Sequence, residues 1–153
     1  MKHLLIVFHS QSGNTEKMAN AVLHGARAEE IEDVEVRMLR AFDAGVDDLL
    51  WAEALMLGTP ENFGYMSGGM KDFLDRTFYP CEGKLEGMPY AIFVSANNDG
   101  TGAVNAMERI ANGYAFRRIQ QPLIARGEIT AEHLQRCEEL GLAVAAGLEI
   151  GAL

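Results

Sequence analysis

Cysteine is nearly absent. Cys81 and Cys137 are the two in 153 residues, far apart, in no CxxC pair and in no Cys/His spacing that would hold a metal. A disulfide framework is therefore excluded, and both read as reduced thiols in a reducing compartment. Positive charge is scarce as well: 13 Lys and Arg stand against 22 Asp and Glu, for a net charge of −9 with no basic patch. Nucleic acid is not an expected partner, because affinity for a phosphate backbone rests on clustered Lys and Arg. The same field favours docking against a basic protein surface, within a Debye length of about 8 Å at physiological salt. Gly-x-Ser-x-Gly is missing and no serine has a paired His and Asp signature, so hydrolase readings are poor. No apolar run approaches the roughly eighteen residues of a membrane span. No charged-then-apolar leader precedes the first apolar run, so the expected location is the cytoplasm. Repeats, low-complexity tracts and linkers are also missing, and residues 1–153 read as one domain large enough to bury a core.

What is present gathers around one stretch. Leu4-Leu5-Ile6-Val7-Phe8 is a short, continuous apolar run, as expected of a central parallel strand covered on both faces. It leads into His9-Ser10-Gln11-Ser12-Gly13-Asn14-Thr15, after which a helical pattern begins near Glu16. Three hydroxyls surround a glycine and the loop discharges onto a helix N-terminus, where unpaired amides and the dipole favour an anion. No lysine or arginine lies between His9 and Glu16, and neither Gly-x-x-x-x-Gly-Lys-[Ser/Thr] nor Gly-x-Gly-x-x-Gly occurs here. The loop thus suits a single terminal phosphate ester held by hydrogen bonds. The same residues also read as an ordinary N-capped helix, with Asn14 or Thr15 as the cap.

Along the chain, Met18, Ala19, Ala21, Val22, Gly25 and Ala26 share one helical face. Val34 to Leu39 alternates, as a half-exposed strand at a sheet edge does. Asp47 to Trp51 opens a short helix or turn, and Ala54 to Gly58 gives a third strand that Gly58-Thr59-Pro60 should end. Residues 68 to 79 are helical through Met70, Phe73, Leu74 and Thr77, with Lys71, Asp72, Asp75 and Arg76 facing water. Gly83 to Pro89 connect to a buried fourth strand, Tyr90 to Ser95. A polar loop over 96–102 precedes a helix from about Ala103 to Arg117, with Val104, Met107, Ile110, Ala111 and Tyr114 as its stripe. Pro122 to Arg126 is a weak fifth strand, and Thr130 caps a long last helix containing Leu134, Cys137, Leu140, Leu142, Val144 and Leu148. Five strands alternating with five helical stretches imply an α/β parallel sheet covered on both faces. A ligand then binds outside the carboxyl ends of the strands, where the loops at 9–15, 59–67 and 96–102 converge.

Ser10-x-Ser12-Gly13-x-Thr15 is similar to the FMN-phosphate loop of flavodoxins. Gly58-Thr59-Pro60-Glu61-Asn62-Phe63-Gly64-Tyr65-Met66, followed by Met70 to Thr77, resembles the matching segment of WrbA-type NAD(P)H:quinone oxidoreductases, a flavodoxin-like branch. The likeness covers residues 3 to 100 and the remainder in outline. It implies a flavodoxin-like three-layer sandwich with a five-stranded parallel sheet in the order 2-1-3-4-5. It also implies FMN, with Ser10, Gln11, Ser12, Gly13, Asn14 and Thr15 on the phosphate and Pro60, Glu61, Asn62, Phe63 and Gly64 along the ring edge. Phe63 or Tyr65 would pack near the ring, although either also reads as core. Ser95, Asn97, Gly100 and Gly102 are candidates for the ribityl and pyrimidine contacts, or a surface turn. No side chain is assigned as catalytic, since the redox chemistry belongs to the flavin and the protein orients it.

The implied activity is electron transfer from NADPH or NADH through FMN to a quinone or similar small acceptor. A one-electron carrier between proteins is the alternative, and a flavin-free binding domain of the same fold is a third. Three departures bear on the choice. Inserted segments that build a tetramer in the WrbA-type proteins are missing, so a homodimer is expected. Phe78-Tyr79-Pro80 stands where a flavin-proximal tryptophan is usual, leaving Tyr79 as an approximate substitute. Asn62 replaces a common arginine and is preceded by Glu61, an anion that would disfavour both an anionic reduced flavin and a negatively charged nucleotide. His9 adjoins the phosphate loop and reads as a phosphate donor or as packing. His3, His24 and His133 are scattered and form no metal constellation.

Overall fold

Leu4 to Phe8 has no polar face because it has no solvent face. In the computed structural model, which describes residues 1–153, this run lies within β1 (Lys2–Phe8) and is fully or almost fully buried. The chain continues through α1 (Asn14–Ala26), β2 (Val34–Arg40), α2 (Val46–Trp51), β3 (Ala54–Asn62), β4 (Tyr65–Met66) and α3 (Gly68–Cys81). It then forms β5 (Pro89–Ala96), α4 (Thr101–Tyr114), β6 (Arg117–Arg118), β7 (Leu123–Arg126) and α5 (Ala131–Glu149).

The sheet runs β2-β1-β3-β5, and both β6 and β7 pair in parallel with β5. This is the expected 2-1-3-4-5 order with the fifth strand in two pieces. Tyr90 pairs with Arg118 and Phe93 with Leu123, so the partner strand carries two extra residues over that span. The surplus bulges out before Pro122, which has no N–H to give to a ladder. The alternating second strand lies at the opposite edge, as its pattern predicts.

Side-chain alternation sends each strand's residues to two cores. Leu5, Val7, Leu55, Leu57, Ile92 and Val94 meet α3 and α4 on one face, while Leu4, Ile6, Met56, Ala91 and Phe93 meet α1 and α5 on the other. Each fully buried aliphatic or aromatic side chain contributes roughly 1.5–3 kcal/mol of transfer free energy. The helical stripes fall where their spacing puts them: Met18, Ala19, Val22 and Ala26 of α1, and Met70, Phe73 and Leu74 of α3, are all buried. Leu142 of α5 is only partly buried.

Several boundaries move. Helix α1 starts at Asn14, and its cap is Gly13 at φ 103°, so neither Asn14 nor Thr15 caps it. Gly58-Thr59-Pro60 does not end the third strand, which runs on to Asn62. The reason is parity: the Gly58 carbonyl accepts the His9 N–H on the β1 side, so Pro60 also faces that side, where β1 has already turned away. Its missing N–H therefore costs no ladder bond. Helix α4 starts earlier than Ala103 and stops at Tyr114, because Ala115 turns into the left-handed region at φ 64°. Arg117 belongs to β6. Thr130 caps α5 as expected, its hydroxyl accepting the His133 N–H at 3.2 Å.

Candidate functional site

The loops after β1, β3 and β5 meet at the carboxyl edge of the sheet and enclose a continuous cleft. One part, about 240 Å³, is lined by Gln11, Ser12, Asn14, Pro60, Glu61, Asn62, Ser95, Ala96 and Asn97. A second part, about 290 Å³, shares Gln11, Glu61, Asn62 and Asn97 and adds Phe63, Gly64 and Asn98. An Asn62 Nδ2–H donates to Gln11 Oε1 at 2.9 Å and bridges the first and third loops. Sequence and structure thus agree on which three segments come together.

Helices α1, α3 and α4 follow these loops; the Ser67 hydroxyl caps α3 by accepting the Met70 N–H, and the N-termini of α1 and α4 are treated in opposite ways. At α4 the free amides are taken. Asp99 Oδ1 accepts the Thr101 N–H at 3.0 Å and the Thr101 hydroxyl at 2.8 Å, and these two bonds hold the Asp99 carboxyl below its ordinary pKa. Glu61 Oε2 accepts the N–H groups of Gly102 and Ala103 at 3.0 and 3.3 Å. Two carboxylates therefore neutralise the positive end of α4. The close approach depends on Gly102, since a Cβ there would lie 2.0 Å from the Gly64 carbonyl oxygen. Glu61 is thus an anion already committed to backbone donors.

At α1 the donors are open. Ser10 Oγ accepts from Gly13 and Glu16 at 3.1 and 3.2 Å, which shapes the loop. The N–H groups of Gln11, Ser12, Asn14 and Thr15 have no acceptor in the protein. A positive helix end with unpaired amides at the mouth of a cleft fits the phosphate monoester that the sequence resemblance implies. Thr15 itself is turned inward: it is 1% exposed, and its hydroxyl pairs with Ser95 Oγ at 2.8 Å, joining α1 to β5. Ser95 thus lines the cleft while its hydroxyl pairs with Thr15. Gly100 caps α4 at φ 76° and is buried.

The ring-edge segment is a tight hairpin. Asn62 pairs with Tyr65 across Phe63 and Gly64, both at positive φ (53° and 71°), as in a type I′ turn. A phenylalanine in the left-handed region is strained, and here its ring is entirely solvent-exposed. Phe63 is therefore not core, and Tyr65 is 42% exposed. Tyr79 does not line the cleft: α3 begins at this edge and runs away from it, and Tyr79 lies on its far turn, 79% exposed against Phe78.

Beneath the hairpin lies a buried polar chain that the sequence did not single out. The Ser67 hydroxyl caps α3 by accepting the Met70 N–H, and Thr59 Oγ1 accepts the Ser67 N–H at 3.0 Å. Thr59 Oγ1 also lies within hydrogen-bond distance of Ser67 Oγ and the Pro60 carbonyl. His9 Nδ1 is 2.8 Å from Ser67 Oγ, and its ring packs edge-on to Phe42. His9 is therefore part of the support under the β3 loop. Partial burial first, and Arg40 nearby second, lower its pKa. The signal for Ser67 was legible as a serine just before an apolar helical run. Lys17, also not singled out, lines a hollow adjoining the cleft with Asn14 and Asn97.

Comparison with known proteins agrees with this architecture. A flavodoxin from Aquifex aeolicus is 36% identical over 102 residues, covering 67% of this chain and 54% of that protein. An NAD(P)H dehydrogenase (quinone) from Archaeoglobus fulgidus is 37% identical over 118 residues, covering 62% of each. The match thus spans only about half to three-fifths of these relatives' length. The solved structure of a flavodoxin from the domain Archaea superposes with a TM-score of 0.81 at 25% identity, over 95% of this chain and 98% of that one. The family model described as "Flavodoxin" matches residues 6–141, and the chain belongs to the flavodoxin family.

Proposed function

We propose that this protein binds FMN and uses it to carry electrons from NADPH or NADH to a quinone or similar small acceptor. The observation that carries the reading is the contrast between the two helix N-termini: α4 is closed by Asp99 and Glu61, while α1 offers unpaired amides from Gln11, Ser12, Asn14 and Thr15. The open α1 terminus suits a phosphate, and the backbone from Pro60 to Gly64, which lines the same cleft, would hold the edge of a flat ring. FMN supplies hydride chemistry at its own ring. The protein binds the phosphate through α1, aligns the ring edge along Pro60 to Gly64, and excludes water with Asn97 and the Gln11–Asn62 bridge. Relatives named NAD(P)H dehydrogenase (quinone), 35% and 37% identical, support the donor and acceptor.

A one-electron carrier is the second reading. It is favoured by the absence of any Lys or Arg from the cleft lining, since a cation there would help hold two added electrons. We place the protein in the cytoplasm as a homodimer. Two buried free thiols suit a reducing compartment, and no helix is long and apolar enough to cross a membrane. Anaerobic titration of the FMN-loaded protein with each nucleotide separates the readings. Bleaching by NADPH or NADH, reversed by a benzoquinone, is the expected result. A flavin that stays oxidised with both but is reduced stepwise by dithionite identifies the carrier.

A further inference from the structure

At the open edge of the sheet the local charge is opposite in sign to the net charge of −9. Against β7 lies a cavity of about 390 Å³ lined by Pro122, Ile124, Arg126, His133 and Arg136, and by no carboxylate. That is unexpected in a chain with 22 acidic residues. Arg37, Arg40, Arg76 and Arg118 each bond a carboxylate, whereas Arg126 and Arg136 bond none. His133 Nδ1 accepts the Thr130 N–H at 3.1 Å in the α5 capping box, which leaves the ring proton on Nε2 and makes His133 a donor. The backbone adds to this. Because the Gly127 N–H bonds the Ala96 carbonyl at 2.8 Å, residues 125 and 123 also face β5, and the N–H groups of Ile124 and Arg126 face outward. Charges that merely guard an edge strand need not converge. Here two come from α5 and one from β7, over an apolar floor of Pro122 and Ile124.

A site composed of donors alone recognises a ligand composed of acceptors. Two guanidinium forks, an imidazole N–H and outward amides match a phosphate monoester better than a carboxamide or hydroxyl group. We propose that this edge cavity binds a phosphate monoester borne on a molecule whose apolar part lies on Pro122 and Ile124. Resting on the nicotinamide-donor reading above, that ester is the 2′-phosphate of NADPH, which makes the cavity the element that selects NADPH over NADH. The placement suits this role: Arg126 pairs with Ala96, which lines the flavin cleft, so the two sites are one strand apart, about 4.8 Å between backbones.

The test is calorimetric titration of the full FMN-loaded chain, in which FMN occupies the α1 cradle, with NADP+, NAD+ and inorganic phosphate. The 2′-phosphorylated nucleotide is expected to bind at least about tenfold more tightly than NAD+, which has no phosphate monoester, and Arg126→Ala and Arg136→Ala each to weaken it about tenfold or more. Both arginines are exposed, so the variants should keep the native melting temperature and FMN affinity. Equal binding of the two nucleotides, or binding indifferent to both substitutions, overturns the NADPH assignment. Inorganic phosphate bound equally by the native protein and both variants overturns the anion site altogether. Because these readouts are binding constants, they stand whether or not the reduced form of either nucleotide reduces the flavin.

Discussion

Thr15 faces two ways: its amide belongs to the open α1 terminus, while its hydroxyl points into the protein. Its hydroxyl belongs to a loop that suits a phosphate, yet in the folded chain it is buried against Ser95. Thr15→Val should cost about 1–3 kcal/mol of unfolding free energy, because it leaves the Ser95 hydroxyl buried without a partner. Adding Ser95→Ala should recover most of that loss, since removing both polar groups is close to neutral. Additive losses in urea unfolding would show that the pair is not coupled. His9 gives a second residue-scale expectation. Its pKa lies below its ordinary 6.5 in the folded state, so the unfolded chain takes up the proton first as pH falls. The associated stability is fully present above pH 6.5 and declines below it as the folded pKa is approached. Urea unfolding of His9→Asn at pH about 7.5 and about 5.5 should show a smaller difference between the two pH values than the native chain does. An equal difference would place the pH dependence elsewhere.

At the scale of elements, α1 matters most, because its N-terminus carries the cradle while its flank is held by α5. A Cβ on Gly141 of α5 would lie 2.0 Å from the Val22 carbonyl oxygen, and one on Gly25 would lie 1.9 Å from that of Glu138. The two helices touch backbone to backbone. Gly141→Ala should therefore destabilise the fold by roughly 1–3 kcal/mol and also weaken FMN binding by displacing α1. A native melting temperature and FMN affinity in that variant would show that the helix contact gives way freely. Element identity was legible wherever burial sets the pattern: the continuous apolar runs of β1 and β5, the alternation of β2, the stripes of α1 and α3. Boundaries were less so. Pro60 reads as a stop, but its register in the sheet makes it harmless, and Arg117 reads as helix because nothing local announces the left-handed Ala115.

For the molecule as a whole, the site was legible as three loops and illegible as a division of labour among them. Hydroxyls, glycines and the position after each strand identify the loops, and topology brings them together. What spacing does not carry is the partner of each group across the cleft. Glu61 reads as a charge beside the ring, and only its bonds to Gly102 and Ala103, forty residues along the chain, reveal that it closes α4. Thr15 finds Ser95 eighty residues away, and His9 finds Ser67. With α4 closed by Asp99 and Glu61 and α3 capped by Ser67, the unpaired amides of α1 are where a phosphate is expected to bind. The most direct measurement compares FMN with riboflavin on the same apoprotein by fluorescence quenching. Several charge-assisted bonds from the α1 amides should make FMN bind at least about a hundredfold more tightly, or about 2.7 kcal/mol. Equal affinities would mean that the phosphate does not bind at α1 and would contradict the account at its centre.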